Sequence, residues 1–326
     1  MNFNKKGAAQ SIAAAKSRAQ KKEKHPFLVD LVKNKQLYMM LALPVIYILV
    51  FRYYPMIGAQ IAFKKYTAAR GVWGSEWIGF DNFIRFFNNP KCWEYIKNTF
   101  LISIYHILLS LPFPIFLALC LDYCRSKFFR KTVQMMVYFP HFLSTVIVVS
   151  VMFLILDNRI GIVNTILNNL VGYKINFLGK VEYFRSLYVW SGVWQNAGWN
   201  SVLYIAALSA VDPQIHEAAI IDGANKFHRI WHIDLVAIRP TIIIMAITQM
   251  GNIVSVGFDK IYLMQNPVNL PVSEVLSTYE YKIGIGAKMP DFSYTAAIGL
   301  MLSLVNFILI VVSNKIANKL SGSGLW

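Results

Sequence analysis

The sequence predicts an all-helical protein that crosses a membrane several times. Hydrophobic residues make up 56% of its 326 residues, charged residues only 15%, and the mean hydropathy is +0.46. A soluble domain is about half apolar and about a quarter charged. The chain also contains six separate, mostly apolar stretches of roughly 20 residues, the length that a helix needs to cross the hydrocarbon core of a bilayer.

The six apolar stretches are the predicted transmembrane helices, and they cover residues 37–59, 98–121, 133–156, 188–211, 241–263 and 294–315. The fifth stretch is the least apolar, because Asn252, Ser255, Asp259 and Lys260 lie in its second half. Polar residues of this kind are costly in a bilayer unless they face the interior of a helical bundle or line a water-filled cavity.

Basic residues predict the orientation of the chain. Nine Lys and Arg residues precede the first stretch, and four more lie in the short segment 122–132. Six crossings place both clusters on the same side, so the positive-inside rule puts both termini in the cytoplasm of a multi-pass plasma-membrane protein. The net charge of +16 then points to anionic lipid as a partner and not to nucleic acid.

These features divide the chain into five predicted segments. They are a basic cytoplasmic tail (1–36), the first transmembrane helix (37–59), an outer loop (60–97), a core of five helices (98–315) with a cytoplasmic loop at 212–240, and a cytoplasmic C-terminal tail (316–326). Two alternatives remain for the first 36 residues. They form either a solvated tail that fixes the topology or a helix that lies on the anionic inner leaflet.

No catalytic, cofactor-binding or metal-binding constellation is present in the sequence. The segment 284–288, which ends in Lys288, has the wrong spacing for the G-x-x-x-x-G-K-[ST] phosphate-binding loop. His228 and His232 are spaced i, i+4 on one helix face, but no third metal ligand accompanies them. We therefore expect no enzymatic activity and no cofactor in this chain.

An ion-coupled secondary carrier is the alternative class of transporter. Carriers of this kind usually contain intramembrane carboxylates or histidines that bind the coupling ion. The candidates here, His106, His141 and Asp259, do not form a paired relay. The sequence therefore disfavours this class.

The loop at 212–240 carries the clearest local signals. Asp212 can cap a helix that has Pro213 at its first position. Gly223 suits the left-handed residue that ends such a helix, and Asn225 can cap a second one. The second helix is amphipathic, with Phe227, Ile230, Trp231 and Leu235 on one face. It is either an interfacial helix or a docking element that inserts into a groove of a partner.

The same loop contains a recognisable motif. Glu217-Ala218-Ala219, Gly223, Ile233 and Leu235 reproduce the spacing E-A-A-x3-G-x9-I-x-L-P, except that Val236 replaces the final proline. This pattern resembles the signature of the permease subunits of binding-protein-dependent ABC importers.

Further segments resemble the carbohydrate-uptake branch of that family, which handles oligosaccharides and polysaccharide fragments. These segments are Tyr53-Tyr54-Pro55, Trp77-Ile78-Gly79-Phe80-Asp81-Asn82-Phe83, Pro140-His141-Phe142, Gly198-Trp199 and Gly324-Leu325-Trp326. The resemblance implies a type I ABC importer permease fold with six transmembrane helices. It also implies a homologous second permease, two cytoplasmic ATPase subunits that bind ATP and magnesium, and an extracytoplasmic sugar-binding protein as partners.

The resemblance assigns the loop a role in coupling to the ATPase. Glu217 would pair with a basic group on the ATPase, Gly223 would permit a tight turn, and Ala218 and Ala219 would permit close approach. The motif identifies the part that couples to the ATPase, but it does not identify the transported solute. An importer of the same kind that carries a non-sugar solute therefore remains an alternative.

Polar residues in the fourth and fifth stretches are candidates for the substrate path. Aromatic faces and amides suit the apolar faces and hydroxyls of a sugar ring, although tryptophans are also common interface anchors. The candidates are Trp194, Gln195, Asn196, Trp199, Asn200, Gln249 and Asn252.

Overall fold

The computed structural model describes residues 30–31, 33–254, 257–322 and 324–325, and it is almost entirely helical within them. The prediction for the first 36 residues falls largely outside this part of the chain. The structure divides into two compact units, residues Met1–Gln60 and Ile61–Trp326.

The helices are labelled in chain order. They are α1 (Lys35–Ile48), α2 (Asp81–Phe87), α3 (Cys92–Ser110), α4 (Pro112–Asp122), α5 (Lys127–Tyr138), α6 (Thr145–Leu156), α7 (Ile162–Val171), α8 (Phe184–Ser209), α9 (Pro213–Ile221), α10 (Lys226–Arg229), α11 (Arg239–Met250), α12 (Phe258–Met264), α13 (Leu276–Gly284) and α14 (Phe292–Ser321).

Short elements connect these helices. A two-stranded antiparallel sheet is formed by β1 (Lys64–Lys65) and β2 (Glu76–Trp77). The remaining helical turns are Leu49–Tyr53, Tyr54–Met56, Ile57–Phe63, Gly71–Gly74, Phe139–Phe142, Val181–Tyr183, Ile230–Asp234, Leu235–Ala237 and Leu270–Ser273.

The first unit contains α1 and its continuation. Together with the turns that follow it, α1 forms a helical segment Lys35–Phe63 that is long and apolar enough to cross a membrane. Its apolar side chains, such as Met40 and Leu43, are exposed. A helix that exposes apolar side chains along its whole length suits a lipid environment and not water.

Two of the predicted transmembrane stretches are not single straight helices. The stretch 133–156 bends by 105° between Lys127–Phe142 and Thr145–Leu156, where Ser144 caps the N-terminus of α6 by accepting a hydrogen bond from the Ile147 amide. The stretch 241–263 is also interrupted, because α11 ends at Met250 and α12 begins at Phe258. The prediction that each stretch forms one continuous helix is therefore wrong at these two places.

By length and apolarity, the described residues contain three membrane-spanning helices, or up to five if each bent pair counts as one span. The three are Lys35–Phe63, Cys92–Asp122 and Phe292–Lys319. Helix α8 has 26 residues and is long enough to span a bilayer at 1.5 Å per residue, but the amides in its middle lower its hydropathy. The count of six crossings stays a prediction.

Helix α8 lies at the centre of the second unit. It packs most extensively against α4, α3 and α5. One apolar cluster joins α8 to α3, α6 and α12 through residues such as Ile102, Val149, Val189 and Ile261. A second cluster joins α8 to α4 and to the start of α11. The polar residues on α8 are thus held on a helix that packs against several others on one side and is exposed on the other.

The contact between α8 and α5 requires a glycine. A Cβ atom added to Gly198 would collide with the backbone carbonyl of Val137, and it would lie 3.1 Å from the amide nitrogen of Tyr138. Because backbone atoms cannot rotate away as a flexible side chain can, any larger residue at position 198 would force the two helices apart.

We predict that Gly198→Ala destabilises the purified protein by about 1–3 kcal/mol, the usual cost of overpacking a close contact. The measurement is the thermal unfolding midpoint in detergent. Gly192→Ala is the matched control on the same helix, because a Cβ there would make only ordinary contacts at 3.5 Å or more. Equal midpoints for the two variants would contradict this account of the contact.

Candidate translocation cavity and coupling loop

A cavity of about 330 Å³ lies between α3, α8 and α11 in the second unit. Asn196 and Asn200 line it from α8, and Gln249 lines it from α11. Asn252, just beyond the end of α11, lines it too. The structure therefore brings together four of the seven residues expected to line a substrate path. The volume falls within the range of about 300–1,000 Å³ that is common for small-molecule sites.

Several of the amides in this cavity are held by hydrogen bonds. The Ser110 hydroxyl donates to Gln249 Oε1 at 2.7 Å, and Asn252 Nδ2 donates to the Thr248 carbonyl at 3.0 Å. Asn200 has no side-chain hydrogen-bond partner within the described part of the chain. The cavity therefore keeps amide donors and acceptors available for a polar ligand.

Asn196 is oriented by a neighbouring histidine. Its Oδ1 lies 3.0 Å from His141 Nδ1, and the His141 ring stacks on Trp199 with a centroid distance of 4.8 Å. Trp199 therefore supports the cavity indirectly through His141.

The two tryptophans proposed from the sequence are not part of the cavity lining. Trp194 and Trp199 are 54% and 45% exposed, and neither is among the residues that line this cavity. Trp194 is two residues from Asn196, which on a helix places it about 200° away around the axis. This placement favours the interface-anchor alternative for Trp194.

A second cavity of about 260 Å³ adjoins the first. The two share His106, Tyr188, Gly192, Asn196 and Gly257 in their linings. Gln195 lines only this second cavity, and its Nε2 donates to the Leu143 carbonyl at 3.1 Å.

Lys260 also lines the second cavity and is buried. It is not among the residues expected from the sequence to line the substrate path, although it lies in the predicted stretch 241–263. The signal that identifies it is the presence of a lysine inside an otherwise apolar stretch.

The loop between α8 and α11 adopts the two-helix structure that its sequence predicts. Asp212 caps α9 by accepting a hydrogen bond from the Gln214 amide at 2.9 Å. Asn225 caps α10 in the same way, with the His228 amide as donor at 2.9 Å. Both capping predictions are confirmed.

Gly223 forms the turn between these helices with φ = +83°, as predicted. The Ala224 amide donates to the Ala219 carbonyl at 2.8 Å, and the Gly223 amide donates to the Ile220 carbonyl at 3.0 Å. These two bonds define a Schellman motif, which satisfies carbonyls at the end of α9. No atom lies within 4 Å of a Cβ added to Gly223, so backbone conformation alone favours glycine here.

The loop exposes a large amount of apolar surface. Phe227 and Trp231 are 83% and 69% exposed, and Ile221 is 86% exposed. Ile230, Ile233 and Leu235 are partly buried, so the predicted apolar face of the second helix is only partly covered. Contiguous exposed apolar residues of this kind mark a binding surface for protein or membrane.

Glu217 is positioned on this exposed surface. Its side chain is exposed, as is that of Ala218, while Ala219 is partly buried. Within the described residues Glu217 has no ion-pair partner, so its carboxylate is available to another chain.

A buried carboxylate fastens the loop to the end of α4. Asp234 is 1% exposed. Its Oδ2 accepts a hydrogen bond from the Tyr123 hydroxyl at 2.7 Å, and its Oδ1 lies 3.2 Å from His216 Nε2 on α9. We call this set of three residues the Asp234 clasp. It joins the π-helical turn Ile230–Asp234 both to α9 and to the residue that follows α4.

The surroundings of Tyr123 in the clasp change the pKa of its hydroxyl group. Burial, the hydrogen bond to Asp234 and the charge of that carboxylate raise the pKa of Tyr123 well above its usual value. The guanidinium of Arg229 lies 5.7 Å from the centre of the Tyr123 ring. The hydroxyl therefore remains a hydrogen-bond donor throughout the physiological pH range.

A metal centre is not evident in the described residues, which contain no group of three or more His, Cys, Asp or Glu side chains that could hold a metal ion. His228 and His232 are adjacent, with ring centroids 6.0 Å apart, but no third ligand joins them. His232 Nδ1 instead lies 3.0 Å from the His228 carbonyl oxygen.

Residues 110–322 match the family described as binding-protein-dependent transport system inner membrane component. The matched region contains α8 and α11, the loop between them and the Asp234 clasp.

Two curated proteins of Bacillus subtilis (strain 168) are similar over most of their length. The polygalacturonan/rhamnogalacturonan transport system permease protein YteP is 41% identical, covering 94% of this chain and 95% of that protein. The arabinooligosaccharides transport system permease protein AraP is 27% identical, covering 85% of this chain and 86% of that protein.

A solved structure has the same fold. A chain of the bacterial alginate ABC transporter, in complex with an alginate pentasaccharide-bound periplasmic protein, matches with a TM-score of 0.84 and 34% identity. The match covers 92% of this chain and 99% of that chain. The all-helical type I importer permease fold is thereby confirmed. The chain therefore belongs to the binding-protein-dependent transport system inner membrane components, as a multi-pass permease subunit of an ABC importer with no catalytic activity of its own.

Proposed function

We propose that this chain forms half of the translocation path for an oligosaccharide in an ATP-driven importer of the plasma membrane, with both termini in the cytoplasm. Its partners would be a homologous second permease, two ATPase subunits that bind ATP and magnesium, and an extracytoplasmic sugar-binding protein. The relatives named for polygalacturonan/rhamnogalacturonan, arabinooligosaccharides and alginate support a carbohydrate cargo.

The observation that carries the proposal is the polar cavity beside α8. Asn196, Asn200 and Gln249 provide amides that can exchange hydrogen bonds with sugar hydroxyls, and Gln195 contributes from the adjoining cavity. Thr248 and Asn252 are exposed, so the cavity is open on the α11 side. A second permease placed against that side would supply the other half of the path.

We predict that Asn196→Leu and Asn252→Leu each reduce ATP-driven oligosaccharide uptake about fivefold, the effect of losing a hydrogen bond of roughly 1 kcal/mol. The measurement is uptake of a labelled oligosaccharide into proteoliposomes that contain the complete transporter, at equal membrane levels of each variant. Asn168→Leu is the matched control, because Asn168 is exposed on α7 and lies outside both cavity linings. Unchanged uptake in both cavity variants would show that neither residue lines the path.

We propose that the loop between α8 and α11 transmits movement from the ATPase. The exposed apolar surface around Phe227 and Trp231 would enter a groove of the ATPase, and Glu217 would pair with a basic group there. Closure of the ATPase dimer on ATP would then shift the helical bundle between its two open states. Such a shift requires that nucleotide favours one state by differential affinity.

We predict that Glu217→Ala weakens docking of the ATPase by about 2–5 kcal/mol, because truncation leaves the partner's charge desolvated and unpaired. The measurement is the amount of ATPase that copurifies with the chain, together with ATP-dependent uptake. Glu182→Ala removes the same charge from an exposed residue in the turn between α7 and α8 and should leave both unchanged. Normal copurification and uptake in Glu217→Ala would refute the role of Glu217.

The Asp234 clasp would make this transmission rigid. It ties both helices of the loop to Tyr123 at the end of α4, and α4 packs against α8. Movement of the loop would therefore also be passed through Asp234 and α4 to α8, the helix that lines the cavity.

We predict that Tyr123→Phe and Asp234→Ala each destabilise the loop by about 1–3 kcal/mol, because each leaves a buried polar group without its partner. Transport per ATP hydrolysed should fall in both, and the double variant should be no worse than the more damaging single variant. Tyr173→Phe, at an exposed tyrosine, is the matched control. Strictly additive effects of the two substitutions would show that Tyr123 and Asp234 do not act as a unit.

A further inference from the structure

Helix α7 exposes a stripe of apolar side chains along its whole length. Ile162, Ile166 and Leu170 are 60%, 51% and 77% exposed, and each is four residues from the next. At about 100° per residue, this spacing keeps the three side chains within about 80° of one another around the helix axis. A contiguous apolar stripe of this kind marks a binding surface.

The other two sides of α7 have different surroundings. Thr165, Asn168 and Asn169 are exposed and form a polar stripe that is centred about 110° from the apolar one. The third side faces the protein, where Asn164 is 0% exposed and Leu167 is half-buried. A helix with one apolar and one polar exposed side suits the surface of a bilayer, because the first can contact lipid chains and the second water.

Asn164 fixes the direction in which the apolar stripe points. Its Nδ2 donates to the carbonyls of Asp157 at 3.1 Å and Ile175 at 2.9 Å, and its Oδ1 accepts from the Ile175 amide at 2.8 Å. These bonds join α7 to the end of α6 and to the chain that follows α7. Rotation of α7 about its own axis would break buried hydrogen bonds, which is costly.

The apolar stripe lies beside an apolar helix that belongs to a candidate membrane span. Helix α6 is half of the bent pair that is long and apolar enough to cross a membrane, and it packs against α7. Leu154, near the end of α6, and Ile160, in the connection to α7, are 61% and 73% exposed. Lipid around the end of α6 would therefore be close to the stripe on α7.

Two cations flank α7. Arg159 precedes the helix and Lys174 follows it; both are exposed, and Lys174 Nζ donates to the Arg159 carbonyl at 3.4 Å. The neighbouring carboxylate of Asp157 accepts hydrogen bonds from the amides of Arg159 and Ile160. Tyr173, beside Lys174, is 53% exposed. Tyrosine and basic side chains are typical of the membrane–water interface, and the two cations are complementary in charge to anionic lipid.

We propose that α7 lies in the surface of the bilayer, with its apolar stripe among the lipid chains and with Arg159 and Lys174 paired with the phosphates of anionic phospholipids. This lipid site goes beyond the proposed transport function and does not depend on the transported solute. It would hold the end of α6 at a fixed depth in the membrane.

The test places a fluorescent nitrobenzoxadiazole label on a single cysteine of the complete transporter in vesicles. Ile166→Cys puts the label on the apolar stripe, and Asn169→Cys is the matched control on the polar stripe. Both carry Cys120→Ser and Cys124→Ser, while Cys92 is buried, and the parent without a new cysteine measures residual labelling. The vesicles contain equal amounts of phosphatidylcholine and phosphatidylglycerol, and the acyl chains of one lipid or the other carry bromine as the quencher.

We expect brominated lipid to quench the label at position 166, and aqueous iodide to quench the label at position 169. Quenching at position 166 should be stronger when phosphatidylglycerol carries the bromine, because each cation near an anionic lipid enriches it by about fivefold. Arg159→Gln combined with Lys174→Gln should abolish this difference. Lys91→Gln combined with Lys288→Gln removes two charges from exposed residues outside α7 and should preserve it.

Four results would overturn the inference in labelled transporters that elute as intact complexes. The label at position 166 could be quenched by iodide as strongly as the one at 169, which would place the stripe in water. It could be protected from both quenchers, which would show that a partner subunit covers it. Protection that appears only on addition of the sugar-binding protein would make the stripe a docking surface for that protein. Equal quenching by the two brominated lipids would remove the role of Arg159 and Lys174.

Discussion

The requirement that polar groups inside a membrane find partners within the protein shapes the centre of this molecule. Lipid offers no hydrogen bonds, so amides on a membrane helix must face other helices or a water-filled cavity. Helix α8 carries such amides at Gln195, Asn196 and Asn200, and it packs against α3, α4 and α5. On one side α8 makes a close contact with α5 at Gly198, and on its α11 side its amides line the cavity. The same helix therefore provides both the packing centre and the polar lining.

Local sequence signals predicted the structure of the loop between α8 and α11 well, because each of its features depends on residues only a few positions apart. Asp212, Asn225 and Gly223 cap and turn the chain as their side chains and φ preferences require. The clasp could not be predicted in this way, since Tyr123 and Asp234 are 111 positions apart. Their contact depends on how α4 and the loop pack in three dimensions.

The cavity was predictable only in part. Asn196 and Asn200 are one turn apart on α8, and burial of amides explains their inward position, whereas Trp194 lies on another face. Apolar composition could not predict the breaks in the stretches 133–156 and 241–263. Hydropathy is averaged over many residues, so it does not register a single capping serine or the position at which a helix ends. The second break separates α12 from α11, and Lys260 on α12 lines the cavity beside Tyr188 of α8 and His106 of α3. That arrangement is a property of tertiary packing and not of any local pattern.

We propose that this chain works as one permease of a larger ATP-driven complex. The most direct measurement is affinity purification of the chain from its native membrane in mild detergent, followed by mass spectrometry of the proteins that accompany it. We expect a second, homologous permease and an ATPase to be recovered in stable association with this chain. Repeated recovery of an intact, monodisperse chain with neither partner would contradict it.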